Sequence, residues 1–241
     1  MKASHSDQQA ILEVQRLDDQ LASLAQREAT LPETAALNTV VIKRNNVRDL
    51  RIAAETERTD VRRELSRAEG DVEQIMTRIQ RDEARLNSGT GTPKELEQTQ
   101  HELVTLGLRR AELEEVELTI MVSVEGISNR INELTAEEEK LAAEIADLEI
   151  KRENAMTIII NERSAVSEKR ASVVAPIAQE LKDLYTKLAA DNNGNGAAPL
   201  VGNECKGCHL TINTTEVQRI ATLPAEEVVR CEQCRCILVR E

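Results

Sequence analysis

Apolar residues recur along this chain at spacings of three and four, and the places where that rhythm stops divide it into elements. From about Ser6 to Glu28, Ile11, Val14, Leu17, Leu21 and Leu24 form one helical stripe. The stripe halts at Thr30-Leu31-Pro32-Glu33. There Thr30 and Glu33 have capping-box spacing and Pro32 falls in a first helical turn, which predicts a kink or a fresh start.

From Leu37 the period is seven. One seam carries Val40, Val47, Ala54, Val61, Ala68 and Ile75; its companion carries Leu37, Arg44, Arg51, Arg58, Leu65, Val72, Ile79 and Leu86. The repeat is broken by Asn87-Ser88-Gly89-Thr90-Gly91-Thr92-Pro93, where glycines permit the positive φ that ends a helix and proline suits the start of the next. Beyond it, Leu106, Leu113, Ile120, Ile127, Leu134, Leu141 and Leu148 hold one seam, and Leu103, Val124, Ile131, Ile145, Ile159, Val166 and Val173 the other, with Arg110, Glu117, Glu138 and Arg152 interspersed. Sustained heptads specify left-handed supercoiling against a partner helix. The expectation is a long antiparallel helical hairpin turning near 87–95, a rod whose helices of some 80 residues reach roughly 120 Å. Facing the helices around the turn sets Ile79 against Leu106, Val72 against Leu113 and Leu65 against Ile120. It also sets Arg51 against Leu134 and Arg44 against Leu141, with Glu133, Glu137 and Glu138 close enough to pair. The arginine stems then cover the seam while their heads reach solvent.

The repeat ends at Val174-Ala175-Pro176, since proline removes a donor and clashes with the preceding turn. A shorter amphipathic piece follows with Ile177, Leu181, Leu184, Tyr185 and Leu188, and Tyr185 is expected at the junction with the last domain. Asp191-Asn192-Asn193-Gly194-Asn195-Gly196 then reads as a flexible, turn-rich stretch. The division predicted is 1–175 for the hairpin and 176–241 for a short helix plus a small terminal domain.

Composition narrows the class. With 40% apolar residues, one tyrosine and neither Phe nor Trp, a thick core is not expected; narrow seams and 31% charged residues on solvated faces are. The formal net charge of −12 repels phosphate and anionic membrane surfaces overall. No apolar run is long enough to span a bilayer, and the first residues lack a secretion signal's apolar core, so a cytoplasmic location is expected.

The chemistry lies in the last forty residues. Cys205-Lys206-Gly207-Cys208 and Cys231-Glu232-Gln233-Cys234 are two CxxC pairs, each able to wrap one side of an ion. Four thiolates complete tetrahedral Zn²⁺ and leave no position to activate water, so one structural zinc is expected, with an iron–sulfur cluster as the alternative. Neither pair sits at the strand-to-helix junction of a thioredoxin-like site. His209 is expected to stand outside the quartet. Cys236 could exchange with Cys234, although a strand starting there is expected to point it away. Asn213-Thr214-Thr215-Glu216 reads as the cap of a short helix through Ile220, with Val228-Val229 and Ile237-Leu238-Val239 as strands.

The run Glu180-Leu-Lys-Asp-Leu-Tyr185, the glycine-bearing linker, the Cys-x-Gly-Cys knuckle and the closing Cys-x-x-Cys-x-x-Ile-Leu resemble bacterial coiled-coil proteins with a C-terminal C4-type zinc ribbon. The tip, Thr92-Pro-Lys-Glu-Leu-Glu97 with His101-Glu102, resembles that family's hairpin turn. The resemblance implies Cys205, Cys208, Cys231 and Cys234 as ligands and a nucleic-acid-binding role. In some relatives it implies links to flagellar gene expression through RNA or an alternative sigma factor. The family usually reads Cys-Gly-Arg-Ile-Leu where this chain has Cys234-Arg235-Cys236-Ile237-Leu238, so if that arginine contacts phosphate in relatives, the contact does not carry over here or is shifted by one position.

From Leu200 onward five cations face six acids, and no aromatic residue offers a stacking platform, which disfavours nucleic acid. Lys206, Arg230, Arg235 and Arg240 are nonetheless the candidate phosphate contacts. No nucleophile–base pair, phosphate loop or open metal site marks an enzyme. The reading is a non-enzymatic adaptor for a protein partner, possible in transcription or gene regulation, with RNA or DNA binding through the ribbon as the alternative. Monomer and homodimer both remain open.

Overall fold

The computed structural model describes residues 1–240. Helix α1 spans His5–Ala29, α2 Pro32–Asn87, α3 Pro93–Val174 and α4 Gln179–Asp191. A small domain follows, with strands β1 (Ala197–Val201) and β2 (Glu204–Cys205), helix α5 (Thr214–Thr222), and strands β3 (Val229–Arg230) and β4 (Ile237–Arg240). The long helices form the coiled-coil hairpin and the sheet belongs to a C-terminal zinc ribbon. The chain divides into two compact units, residues 36–148 and residues 1–35 with 149–241.

In unit 36–148 the seam positions are the ones withdrawn from solvent. Leu37 and Val40 cluster with Leu141 and Ile145, and Ala54 with Ile127 and Ile131. These groupings agree with the register read from the heptads. Arg51 donates from Nε to Glu138 Oε2 (2.8 Å) across the hairpin and from Nη1 to Glu55 Oε1 (2.7 Å). Its stem thus lies along the seam and its charge is paired at the edge, while Arg44 reaches Asn45 Oδ1 (3.4 Å). At the turn, Gly89 and Gly91 have φ of 62° and 145°, a region that disfavours other residues. A capping box closes the start of α3: Thr92 N–H donates to Glu95 Oε2 (2.7 Å), and Glu95 N–H to Thr92 Oγ1 (3.4 Å).

The other unit begins with α1, a helix of its own. The restart at Pro32 is as expected, but not the capping box. Thr30 closes α1 instead, with its N–H (3.0 Å) and hydroxyl (2.8 Å) both donating to the Gln26 carbonyl. Glu33 Oε2 is buried without a hydrogen-bond partner. Helix α1 packs along the last part of α3: Leu24 and Leu31 meet Ile159, and ion pairs join Arg27 to Glu162, Arg163 to Glu28 and Lys169 to Glu13.

Strand order is β2-β1-β4-β3, with β1 parallel to β4 and the outer pairs antiparallel. Alternation along β4 sends Ile237 and Val239 toward α1 and α4, where they join Ile11, Val14, Leu181, Tyr185 and Leu188. It sends Leu238 to the opposite face, with Ala198, Ile212, Ile220 and the cysteines.

The stretch 191–196, expected to be flexible, is a tight turn tied into the core. Buried Gln15 accepts at Oε1 from the N–H groups of Gly196 (2.8 Å) and Ala197 (3.1 Å), and donates from Nε2 to the Gly194 carbonyl (2.9 Å). A Cβ at position 196 would stand 2.7 Å from the Tyr185 ring, so only glycine fits. Tyr185, at the junction as expected, donates its hydroxyl to Asp18 Oδ2 (2.7 Å), and burial raises its pKa well above the ordinary value. Asp18 in turn pairs with Arg170.

Candidate metal centre

Two knuckles of the same design hold the four cysteines. In the first, which follows β2, His209 N–H donates to the Cys205 carbonyl (2.8 Å) and Cys205 N–H to the Leu210 carbonyl (3.1 Å). In the second, which links β3 to β4, Arg235 N–H donates to the Cys231 carbonyl (2.9 Å) and Cys231 N–H to the Cys236 carbonyl (3.0 Å). Both turns need a left-handed residue after the second cysteine, and His209 (φ 59°) and Arg235 (φ 64°) occupy those positions. Arg235 therefore takes, at some strain, the conformation that glycine adopts more readily. In the first knuckle a Cβ at Gly207 would come within 2.7 Å of Asn195 Nδ2, and Asn195 itself donates to the Gly207 carbonyl (2.7 Å).

The folded knuckles bring the Sγ atoms of Cys205, Cys208, Cys231 and Cys234 within 4.8 Å of one another. Cys205–Cys234 and Cys208–Cys231 are each separated by 3.9 Å. Tetrahedral bonds of 2.3 Å to sulfur imply edges of about 3.8 Å. Burial raises the pKa values of Cys205, Cys208 and Cys234. At Cys231 burial is the largest single influence, but the N–H groups of Cys234 and Gln233 together with the Cys234 and Cys205 side chains outweigh it, and the value falls below that of an ordinary thiol. The same motif recurs at the other sulfurs: Gly207 and Cys208 donate N–H groups to Cys205, Leu210 to Cys208, and Cys236 to Cys234. Backbone donors aimed at each sulfur favour thiolates, the form a metal binds. Donor type, spacing and polarity fit one zinc ion.

Residues 14–193 match the CT398-like coiled coil hairpin domain, and residues 205–238 the C4-type zinc ribbon domain. The chain belongs to the CT398-like coiled-coil hairpin family. An uncharacterized protein of Mycobacterium tuberculosis is 33% identical over 244 residues, covering 100% of this chain and 98% of its own. One from Mycobacterium leprae is 26% identical over 225 residues, covering 89% and 92%. A solved Mycobacterium smegmatis structure matches with TM-score 0.89 at 30% identity over 100% of both chains. CT398 from Chlamydia trachomatis matches with TM-score 0.72 at 18% identity over 98% of each, a likeness of fold. In this family the four cysteines can hold one structural zinc, which cross-links β2 to the β3–β4 turn; both matched domains are structural.

The remaining candidates scatter. Lys206 pairs with Glu204 (2.7 Å). Arg230 and Arg235 are exposed and line a groove of about 340 Å³ with Arg219, Glu227 and Glu232. Arg240 points inward. Its Nη1 donates to the carbonyls of Ile220 and Leu223 (both 3.0 Å), and its Nη2 to those of Pro224, Ala225 and Glu227 (2.7–3.1 Å). Both terminal nitrogens are saturated, which corrects its reading as a phosphate contact. His209 is largely exposed beside Glu204 and lies outside the sulfur cluster.

Cys236 is the residue whose direction the sequence misjudged. Strand alternation places it on the same face as Leu238, and its Sγ lies 3.3 Å from Cys234 Sγ and 3.7 Å from Cys205 Sγ. The signal was available, since Ile237 and Val239 claim the other face.

Proposed function

We propose that this protein is a non-enzymatic adaptor that binds a protein partner along α3, with gene regulation, the setting implied by the family resemblance, as its context. One observation carries the reading. Opposite the seam residues Leu106, Leu113 and Ile120, α3 has a second apolar stripe: Val104, Leu108, Leu118 and Val122 are each 61–68% exposed. At about 100° per residue these positions lie roughly 180° from the seam. A helix apolar on both sides has a surface for another helix. Glu112 and Glu114 flank the stripe, Glu115 interrupts it and Glu125 stands at its end, so the complementary occupant is an amphipathic helix with Lys or Arg beside its apolar face. Affinity capture from the native host, comparing the natural chain with a Leu118→Glu, Val122→Glu variant, tests this. A specific partner with such a helix should be retained only by the natural chain; equal retention by both, or no partner, refutes it. Self-association abolished by the same substitutions would instead identify a second copy.

The alternative, phosphate binding through the ribbon, draws on the exposed pair Arg230 and Arg235. Its mark would be affinity for single-stranded RNA or DNA that falls steeply with salt and is lost in the Arg230→Ala, Arg235→Ala variant.

A further inference from the structure

We propose that Cys236 is a reserve metal ligand, placed to take over from Cys234 in the thiolate shell. Its Sγ is 3.7 Å from Cys205 Sγ, against 3.9 Å between Cys205 and Cys234. Both are the spacing expected of two sulfurs on one ion, about 3.8 Å. The position equivalent to Cys236 in the first knuckle is Leu210, by the matching N–H donations to their carbonyls. Leu210 is 51% exposed, whereas Cys236 is fully enclosed on the metal side. The second knuckle thus carries one sulfur more than a closed shell needs.

The extra sulfur stands beside a ligand at risk. Cys205 and Cys231 are buried, while Cys208 and Cys234 are partly open to solvent. Reagents that attack thiolates reach exposed sulfurs first. Cys236 Sγ is 3.3 Å from Cys234 Sγ but outside the group of four sulfurs that lie within 4.8 Å of one another, so it would move inward to fill the corner that Cys234 vacates. In such an exchange the bond from an ion to Cys234 would break and one to Cys236 would form, with the thiol proton of Cys236 passing to the freed Cys234 thiolate, or to solvent where Cys234 has been alkylated. Cys205, Cys208 and Cys231 hold the ion throughout. A buried cysteine acting only as a small apolar filler would do none of this.

Cobalt(II) in place of zinc reads the number of thiolates in the full-length protein. Cys236→Ser alone should keep the four-thiolate spectrum. Cys234→Ser should also keep it, with one cobalt per chain. The double variant should lose about a quarter of the sulfur-to-cobalt charge-transfer intensity and bind at least about tenfold more weakly. A Cys234→Ser spectrum identical to that of the double variant, or loss of a thiolate in Cys236→Ser alone, overturns the proposal. A second measurement leaves the shell in place. After limited iodoacetamide treatment, molecules alkylated once at Cys234 should retain zinc in the natural chain and release it in Cys236→Ser. Equal release overturns the proposal even if Cys234→Ser does not fold.

Discussion

Replacing Gln15 by alanine should unpin the zinc-ribbon junction from the first helix. Gln15 is buried, and its Oε1 is the acceptor for the N–H groups of Gly196 and Ala197. Removing it leaves two enclosed backbone donors without that acceptor, each costing about 1–3 kcal/mol. The Tyr185 hydroxyl keeps Asp18, so it adds little. With some water entering the space left, the expected loss is about 2–4 kcal/mol. At 1.4 kcal/mol per tenfold, amide exchange at Gly196 and Ala197 should accelerate roughly 30- to 700-fold. Exchange measured by mass spectrometry on metal-loaded protein gives the local effect, and urea denaturation gives the global one. Gln20→Ala, an exposed site on the same helix, is the control and should stay within about 0.5 kcal/mol. If Gln15→Ala matches that control and exchange at Gly196 and Ala197 does not change, the reasoning fails.

Gly196→Ala should destabilise the same junction by about 1–3 kcal/mol in urea denaturation, because the new methyl meets the Tyr185 ring at 2.7 Å and its carbonyl oxygen at 2.9 Å. Arg51→Ala should lower the urea midpoint only slightly, and by less in high salt, since the ion pairs with Glu138 and Glu55 are open to solvent screening. Hydrogen bonds from Arg16 and Lys169 lower the Glu13 pKa from 4.5 to about 2. A depressed carboxylate stabilises above its unfolded pKa, so this small contribution should vanish as pH falls from 4.5 toward 2. An NMR titration should place the midpoint near 2, rising toward 4.5 in Arg16→Ala, Lys169→Ala. Chelation of the metal should strip amide protection from 204–210 and 229–238 while helices in 36–148 stay protected, as hydrogen exchange would report.

The hairpin was legible because its information is local and repeated. Each seam from Val40 to Ile75 and from Leu106 to Leu148 marks itself every seven residues, and a single proline or glycine cluster marks each break. The four ligands were legible for a similar reason: CxxC spacing encodes the knuckle. What escaped depends on distant partners. Strand β1 contains Pro199 and two alanines, poor strand formers with little pattern; it exists because β4 pairs with it in parallel and Gln15 caps its entrance. The turn at 191–196 looks like a tether until α1 supplies its hydrogen-bond partners. Thr30 had the right spacing for a capping box, but the end of α1 used its hydroxyl first. Arg240 counts as a surface cation in composition, yet one carbonyl from α5 and four from the α5–β3 connection surround it.

The account rests on a closed thiolate shell, and X-ray absorption on protein purified without chelators tests it most directly. One zinc per chain with four sulfurs at about 2.3 Å and no oxygen or nitrogen neighbour is the result predicted. A zinc–oxygen contribution from exchangeable water, or protein that holds no zinc at all, would contradict it.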